Sequence, residues 1–244
     1  MHQHRIFLRA AGLLLPAATL IGCTPSSPPF ATTVGILHRG MTMSVRIESG
    51  TVNAFQPANG QRRDLFTIAA TAARGTTPPP PRMRVAPLGI VVRAGTLAAL
   101  LVRVPEGVNL VVDSRRGNVN VTDITGDVRI LAQQGNVDVK VPGYAQAAVG
   151  TGSLAVMMGA TTWPGTLHFS IQHGDVELWI SAKAAFAVHL HTDDGTLFTD
   201  FGLRGTSAGN AETIDGAVNG GSPSRIDVEA AAGSIRLLRL QPQP

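Results

Sequence analysis

Cysteine is nearly absent from this chain: Cys23 is the only one in 244 residues, so no internal disulfide can form. Large amphipathic rings are scarce as well, with Trp163, Trp179 and Tyr144 the only tryptophans and tyrosine. That scarcity weighs against a sugar-cleaving groove floored by aromatic platforms. No Gly-Lys-Ser/Thr run closes a glycine-rich loop, which excludes a P-loop. The longest uncharged apolar stretch near the start, Ala10 to Gly22, is thirteen residues, well short of the roughly twenty that cross a bilayer as helix. The net charge of +4 owes two units to Arg5 and Arg9, and the pI near 10.2 is therefore no sign of nucleic-acid binding.

What is present begins with an export-like leader. Met1 to Arg9 is basic without an acid, Ala10 to Gly22 is rich in leucine and alanine, and Gly22 is small. Leu20-Ile21-Gly22-Cys23 resembles the lipobox of bacterial lipoproteins, whose cysteine is acylated after cleavage between the residues corresponding to Gly22 and Cys23. The resemblance implies a diacylglyceryl (palmitate-type) modification on Cys23 and a membrane-lipid partner reached through it. Thr24-Pro25-Ser26-Ser27-Pro28-Pro29 reads as an extended tether. Thr24 stands where an aspartate often marks inner-membrane retention, favouring an outer-membrane destination facing periplasm or surface. The expected organisation is a signal peptide over 1–22, a lipidated tether over 23–40 and an all-β domain over 41–240, with a proline-rich loop at 74–82.

Charge is unevenly placed along the chain. Residues 23–112 carry nine arginines against Glu48, Asp64 and Glu106, a net +6, whereas 113–244 carry nine bases against thirteen acids, a net −4. Such asymmetry can orient a protein near anionic lipid or lipopolysaccharide, and is more commonly solvated surface.

From position 114 one phrase recurs: a polar pair, a glycine, then an alternating strand. Copies include Gly117-Asn118-Val119-Asn120-Val121, Gly126-Asp127-Val128, Gly135-Asn136-Val137-Asp138-Val139, Gly152-Ser153-Leu154 and Gly174-Asp175-Val176-Glu177-Leu178. Gly195-Thr196-Leu197, Gly216-Ala217-Val218 and Gly233-Ser234-Ile235 continue it. The alternation puts branched residues on one strand face and polar ones on the other. Leaving out Gly126, the glycines lie 18, 17, 22, 21, 21 and 17 residues apart. A period near twenty fits one coil of a β-solenoid, with Gly126 halfway round a coil. Val119, Val137, Leu154, Val176, Leu197, Val218 and Ile235 would then stack as an interior ladder. An antiparallel β-sandwich explains the alternation but not the long period. Ahead of the repeat, strands are expected at Met43–Ile47, Gly50–Phe55, Leu65–Ala70, Ile90–Val92 and Ala99–Val102, and Thr76 to Pro81 is expected as an exposed polyproline-like loop.

Val104-Pro105-Glu106-Gly107-Val108-Asn109-Leu110-Val111-Val112, the glycine copies after it and the ending Ile214 to Gly221 with Ala232 to Leu237 resemble the bacterial "putative adhesin" domain family. The resemblance covers roughly residues 43–240 and implies an exported or envelope protein with an adhesion or envelope-stress role. Its motifs are structural, so no catalytic residue, cofactor or metal ligand is carried over.

Several local patterns invite other chemistry. Gly205-Thr206-Ser207-Ala208-Gly209 fits G-x-S-x-G, but Asn210 to Gly216 is too turn-rich for the helix a nucleophile elbow needs. Gly150-Thr151-Gly152-Ser153-Leu154-Ala155 fits a loose dinucleotide fingerprint without a following helix. His168, His173, His189 and His191 would form a zinc-like cluster only if coils stack in register. Asp175, Glu177, Asp193 and Asp194 are the carboxylates a β-helix polysaccharide-active enzyme would line up. The reading favoured by the sequence is a lipid-anchored cell-envelope protein acting as a binding, adhesin-like or scaffold domain, not an enzyme. Asn118, Asn120, Arg129, Asp138 and Glu177 present its polar face, and an envelope protein or a glycan is the expected ligand. An envelope-stress signalling regulator is the first alternative and a β-helix polysaccharide-active enzyme the second.

Overall fold

The computed structural model describes residues 30–57, 63–72, 76–221 and 223–240. The leader, Gly22, Cys23 and the start of the tether lie outside the described residues. Within them there is no helix, and the protein is all-β. The strands are β1 (Phe30–Ile36), β2 (Thr42–Phe55), β3 (Leu65–Thr71), β4 (Arg82–Ala86), β5 (Gly89–Arg103) and β6 (Asn109–Arg116). They continue with β7 (Val119–Thr122), β8 (Val128–Gln134), β9 (Val137–Val141), β10 (Ala145–Met158), β11 (Thr166–Ser181) and β12 (Phe186–Asp194). The last are β13 (Leu197–Thr199), β14 (Thr206–Ala208), β15 (Ala211–Val218), β16 (Arg225–Ala232) and β17 (Ile235–Leu240).

The framework is a parallel stack of rungs, each made of two strand segments meeting at a corner. In space the rungs follow the order β5, β2, β6–β7, β8–β9, β10, β11, β16–β17, β12–β13. Antiparallel pairs are confined to the two ends: β3, β4 and β1 lie beyond β5, and β15 and β14 lie beyond β12. Alternation sends every second residue inward. Leu100, Val52, Val119, Val137, Leu154, Val176, Ile235 and Leu197 face one another rung by rung, all buried except the half-buried Leu197. Each fully buried valine or leucine contributes about 1.5–3 kcal/mol relative to exposure, which makes this column a main source of stability.

The corner explains the repeated glycine. At Gly135 the backbone runs at φ +134°, and an added Cβ would lie 2.2 Å from the Gly117 carbonyl oxygen. The same clash recurs up the stack, each glycine against the rung before it: Gly117 on Gly50, Gly152 on Gly135, Gly174 on Gly152, Gly233 on Gly174 and Gly195 on Gly233. Only a residue without a side chain lets successive corners approach this closely. Gly126, between β7 and β8, is packed in the same way on the Val108 carbonyl.

Four expectations need correction. The ladder does not follow sequence order: β16–β17, last in the chain, sits between β11 and β12–β13. Gly216 and Val218 are not a rung; they belong to β15, which runs antiparallel to β12 and alternates for that reason. Residues 30–36, read as tether because proline and serine precede them, form β1 and pair with β3 through Thr32, Thr33 and Val34. The proline stretch is not fully exposed, since Pro78 and Pro81 are buried. Their three-residue separation is one turn of polyproline II, so one face of the segment packs on the protein.

Candidate functional site

The corner shapes a cleft of about 750 Å³ on the outer side of the stack. Its lining comes from the two positions ahead of each corner glycine: Glu48 and Ser49 on β2, Arg115 and Arg116 on β6, Gln133 and Gln134 on β8. Gly150 and Thr151 on β10 and Gln172 on β11 extend it, with Ala148 and Ser170 keeping the floor low. A second hollow of about 420 Å³ shares Glu48, Arg115 and Gln133 and carries the surface on to Arg46, Arg93 and Asp113. Guanidinium groups dominate. Arg115 Nη1 donates to Glu48 Oε2 at 2.9 Å, and Arg46 Nε lies 3.8 Å from Asp113 Oδ2. Arg93 and Arg116 make no ion pair with any described residue. The cleft therefore offers amide, hydroxyl and guanidinium donors, several of them unspent. Most of its positions belong to the polar pairs of the repeated phrase.

The residues expected to form a single polar face divide between two. Arg129 lies on β8, ahead of the corner, while Asn118 sits at the corner and Asn120, Asp138 and Glu177 lie beyond it on β7, β9 and β11. Several are occupied in holding rungs together. Asn118 Oδ1 accepts from the Asn136 amide at 3.1 Å, Asn120 Nδ2 donates to Asn53 Oδ1 at 2.8 Å, and Glu177 Oε1 meets Arg236 Nη1 at 3.1 Å. Arg129 and Asp138 are exposed.

The four histidines are only partly gathered. His168 on β11 and His189 on β12 share a row because β16 lies between them, and Asp227 occupies the middle place. His168 Nδ1 stands 3.6 Å from Asp227 Oδ2, and His189 Nδ1 is 2.8 Å from Asp215 Oδ1 on β15. His191 has both ring nitrogens engaged, with Thr213 Oγ1 at 2.9 Å and Asp193 Oδ1 at 3.0 Å. His173 is opposite Ala232 and apart from the others. Among the described residues no group of three or more histidine, cysteine, aspartate or glutamate side chains is disposed to hold a metal.

The carboxylates do not line up either. Asp175 accepts from the Ser234 amide at 2.9 Å and Glu177 pairs with Arg236, whereas Asp193 and Asp194 lie two rungs away, beyond β16. Ser207 sits in β14, a short strand hairpinned onto β15, with no helix after it. Gly150 to Ala155 runs through the corner of β10.

Compared with known families the chain matches no family model, and no curated protein matches it in sequence. Two solved structures show a distant similarity to it. One, from Clostridium sporogenes ATCC 15579, is described as a "putative cell adhesion protein"; it is 8% identical with a TM-score of 0.45, over 88% of this chain and 100% of that one. The other, from Bacteroides fragilis NCTC 9343, is described as a "putative adhesin"; it is 11% identical with a TM-score of 0.29, over 88% of this chain and 98% of that one.

Proposed function

We propose that this protein is a lipid-anchored cell-envelope domain whose role is adhesin-like binding without catalysis. Its stack acts as a short, rigid β-solenoid that presents the corner cleft to a glycan. One observation carries the reading: five rungs in succession, β2, β6, β8, β10 and β11, place the same pre-corner positions along one continuous cleft. The lining thus repeats at the rung spacing of about 4.8 Å, a periodic row suited to a periodic ligand. Arginine and glutamine present planar, multiply donating groups, the kind that engage neighbouring hydroxyls or a carboxylate together. The anchor rests on Leu20-Ile21-Gly22-Cys23, and Cys23 with two acyl chains would hold the domain durably at the outer membrane.

One preparation tests both halves. The protein is isolated from native membranes, and its N-terminal peptide is weighed intact. It is then titrated with envelope polysaccharide fragments while release of new reducing ends is followed. The reading expects an acylated Cys23 peptide, lost together with membrane retention in Cys23→Ala. It also expects binding without cleavage, weakened at least tenfold in Arg115→Ala/Arg116→Ala. An unmodified Met1 removes the anchor, and fragment cleavage removes the non-catalytic role.

A further inference from the structure

The described residues expose eight large apolar side chains, and they are not scattered. Six of them, Val34, Ile36, Met83, Val85, Leu88 and Leu101, lie on β1, β4, β5 and the β4–β5 turn, at one end of the stack. Val85 and Leu88 are the most exposed, at 82% and 80%. Isolated exposed apolar residues are ordinary on a soluble protein, but Met83, Val85 and Leu88 are neighbours on one hairpin, and such a group marks a contact surface.

The same end is cationic. Arg82 on β4, Arg93 on β5 and Arg46 on β2 are direct cross-strand partners, three like charges on adjacent strands. Like charges placed opposite one another destabilise a sheet, and only Arg46 has an acid nearby, Asp113. Arg84 stands on the same strand face as Arg82, and neither pairs with an acid among the described residues. A shallow pocket of about 340 Å³ lies between the guanidinium side, Arg82, Arg84 and Arg93, and the apolar side, Val85, Pro87 and Val91. The described arginines of residues 30–112 thereby lie toward one end of the stack, with the acid-rich strands after them toward the other.

We infer that the β4–β5 hairpin is a membrane-docking tip: Val85 and Leu88 enter the interfacial layer of a bilayer, and Arg82, Arg84 and Arg93 bind its anionic phosphate headgroups. Apolar side chains beside basic ones are what interfacial binding combines, and each arginine near an anionic surface adds to it. Two further features favour lipid over another protein chain. The free edge of β4 is guarded by Arg82 and Arg84 and preceded by Pro80 and Pro81, features that discourage strand addition by a second copy. Residues 1–29 join the described part at Phe30, on β1, so an anchor at Cys23 would enter at this same end of the stack. The inference goes beyond the acyl anchor and does not require it.

The test places a reporter at the tip. Leu88→Trp and, at the opposite end, Phe198→Trp are prepared in the full chain and mixed with vesicles of phosphatidylcholine alone or with one quarter phosphatidylglycerol. The emission of Trp163 and Trp179 is subtracted using the parent protein. Docking predicts a blue shift of Leu88→Trp and its quenching by brominated lipid on the anionic vesicles, with Phe198→Trp unchanged. Adding Arg82→Gln/Arg84→Gln should weaken that signal about 30-fold in vesicle concentration. Unquenched Leu88→Trp on anionic vesicles overturns the inference, whether or not the protein is bound. So does a blue shift that depends on protein concentration without lipid, which would mean a second copy. The mass of the N-terminal peptide is read separately, so failure of the anchor and failure of the tip are distinguishable.

Discussion

Replacing Gly135 by alanine isolates the feature that builds the stack. The new Cβ would sit 2.2 Å from the Gly117 oxygen and 2.6 Å from its carbonyl carbon, atoms of backbone that cannot rotate away. Gly135 also holds φ +134°, which costs a residue with a side chain roughly 1–3 kcal/mol. Prising the two corners apart adds about 1–3 kcal/mol of overpacking. The sum is about 4 kcal/mol, a large share of the 5–15 kcal/mol typical of a whole domain. For a domain of this size each kcal/mol moves Tm by roughly 2–4 °C, so a fall on the order of 10 °C is expected. Gly143→Ala is the matched comparison. It lies in a turn with no atom within 4 Å of its virtual Cβ and no positive φ, and should be neutral or stabilise by about 0.5 kcal/mol. Denaturant midpoints and thermal scans of both variants decide the matter. Equal stability of the two would mean that the corners are not in contact and that the stacking register is wrong.

Other perturbations address single contacts. Leu154→Ala empties a place in the buried interior column and should cost about 2–5 kcal/mol by denaturant titration. Ser224→Ala removes a buried hydroxyl that donates to the Trp163 carbonyl at 2.6 Å and accepts from its amide at 3.1 Å, for a loss of about 1–3 kcal/mol. Neutralising the Glu177–Arg236 pair with Glu177→Gln should change stability by less than about 1 kcal/mol, because both groups are partly solvated. Deleting residues 225–240 should make β12–β15 cleavable by protease, because their rung has lost its neighbour.

The rung and its corner were legible because both are local. Gly117-Asn118-Val119-Asn120-Val121 states its own alternation and its own bend, and the glycine period near twenty states that such units recur. Stacking order was not legible, since every copy offers the same edges and nothing inside Gly233-Ser234-Ile235 names its neighbours. Gly216-Ala217-Val218 misled for the same reason: an antiparallel strand alternates as a parallel one does. Gly50 follows a polar pair, Glu48-Ser49, as the later corners do, but it stands 67 residues ahead of Gly117, outside the regular run of copies, and reads from sequence as a strand start. The β4 strand was missed beside the proline run. Its signal was available in Arg82-Met83-Arg84-Val85 followed by the turn Pro87-Leu88-Gly89. The cleft was missed because it is made by juxtaposition, with Arg115, Gln133 and Thr151 far apart in sequence and adjacent only after stacking.

The departure from sequence order at the two ends has a physical consequence. At one end β2 lies inside β5, and at the other β16–β17 lies inside β12–β13, so each outermost rung is held by a rung on its inner side and a hairpin on its outer side. An open parallel stack would leave two unpaired edges, each a template for aggregation. The outer edges of β5 and β12 are instead covered by antiparallel strands, but the β15 and β4 covers differ in chemistry. The β15 cover carries Glu212, Thr213 and Asp215, hydrogen-bonded to the Leu197 amide, His191 and His189, and its polar groups are spent on the protein. The β4 cover carries Arg82, Arg84, Val85 and Leu88, none of them spent. If covering the edge were the only task, both ends would be built like β15. The unspent arginines and apolar side chains at the β4 end are therefore the part of the molecule that edge protection does not explain, and a bilayer reached from Phe30 accounts for their position and their chemistry together.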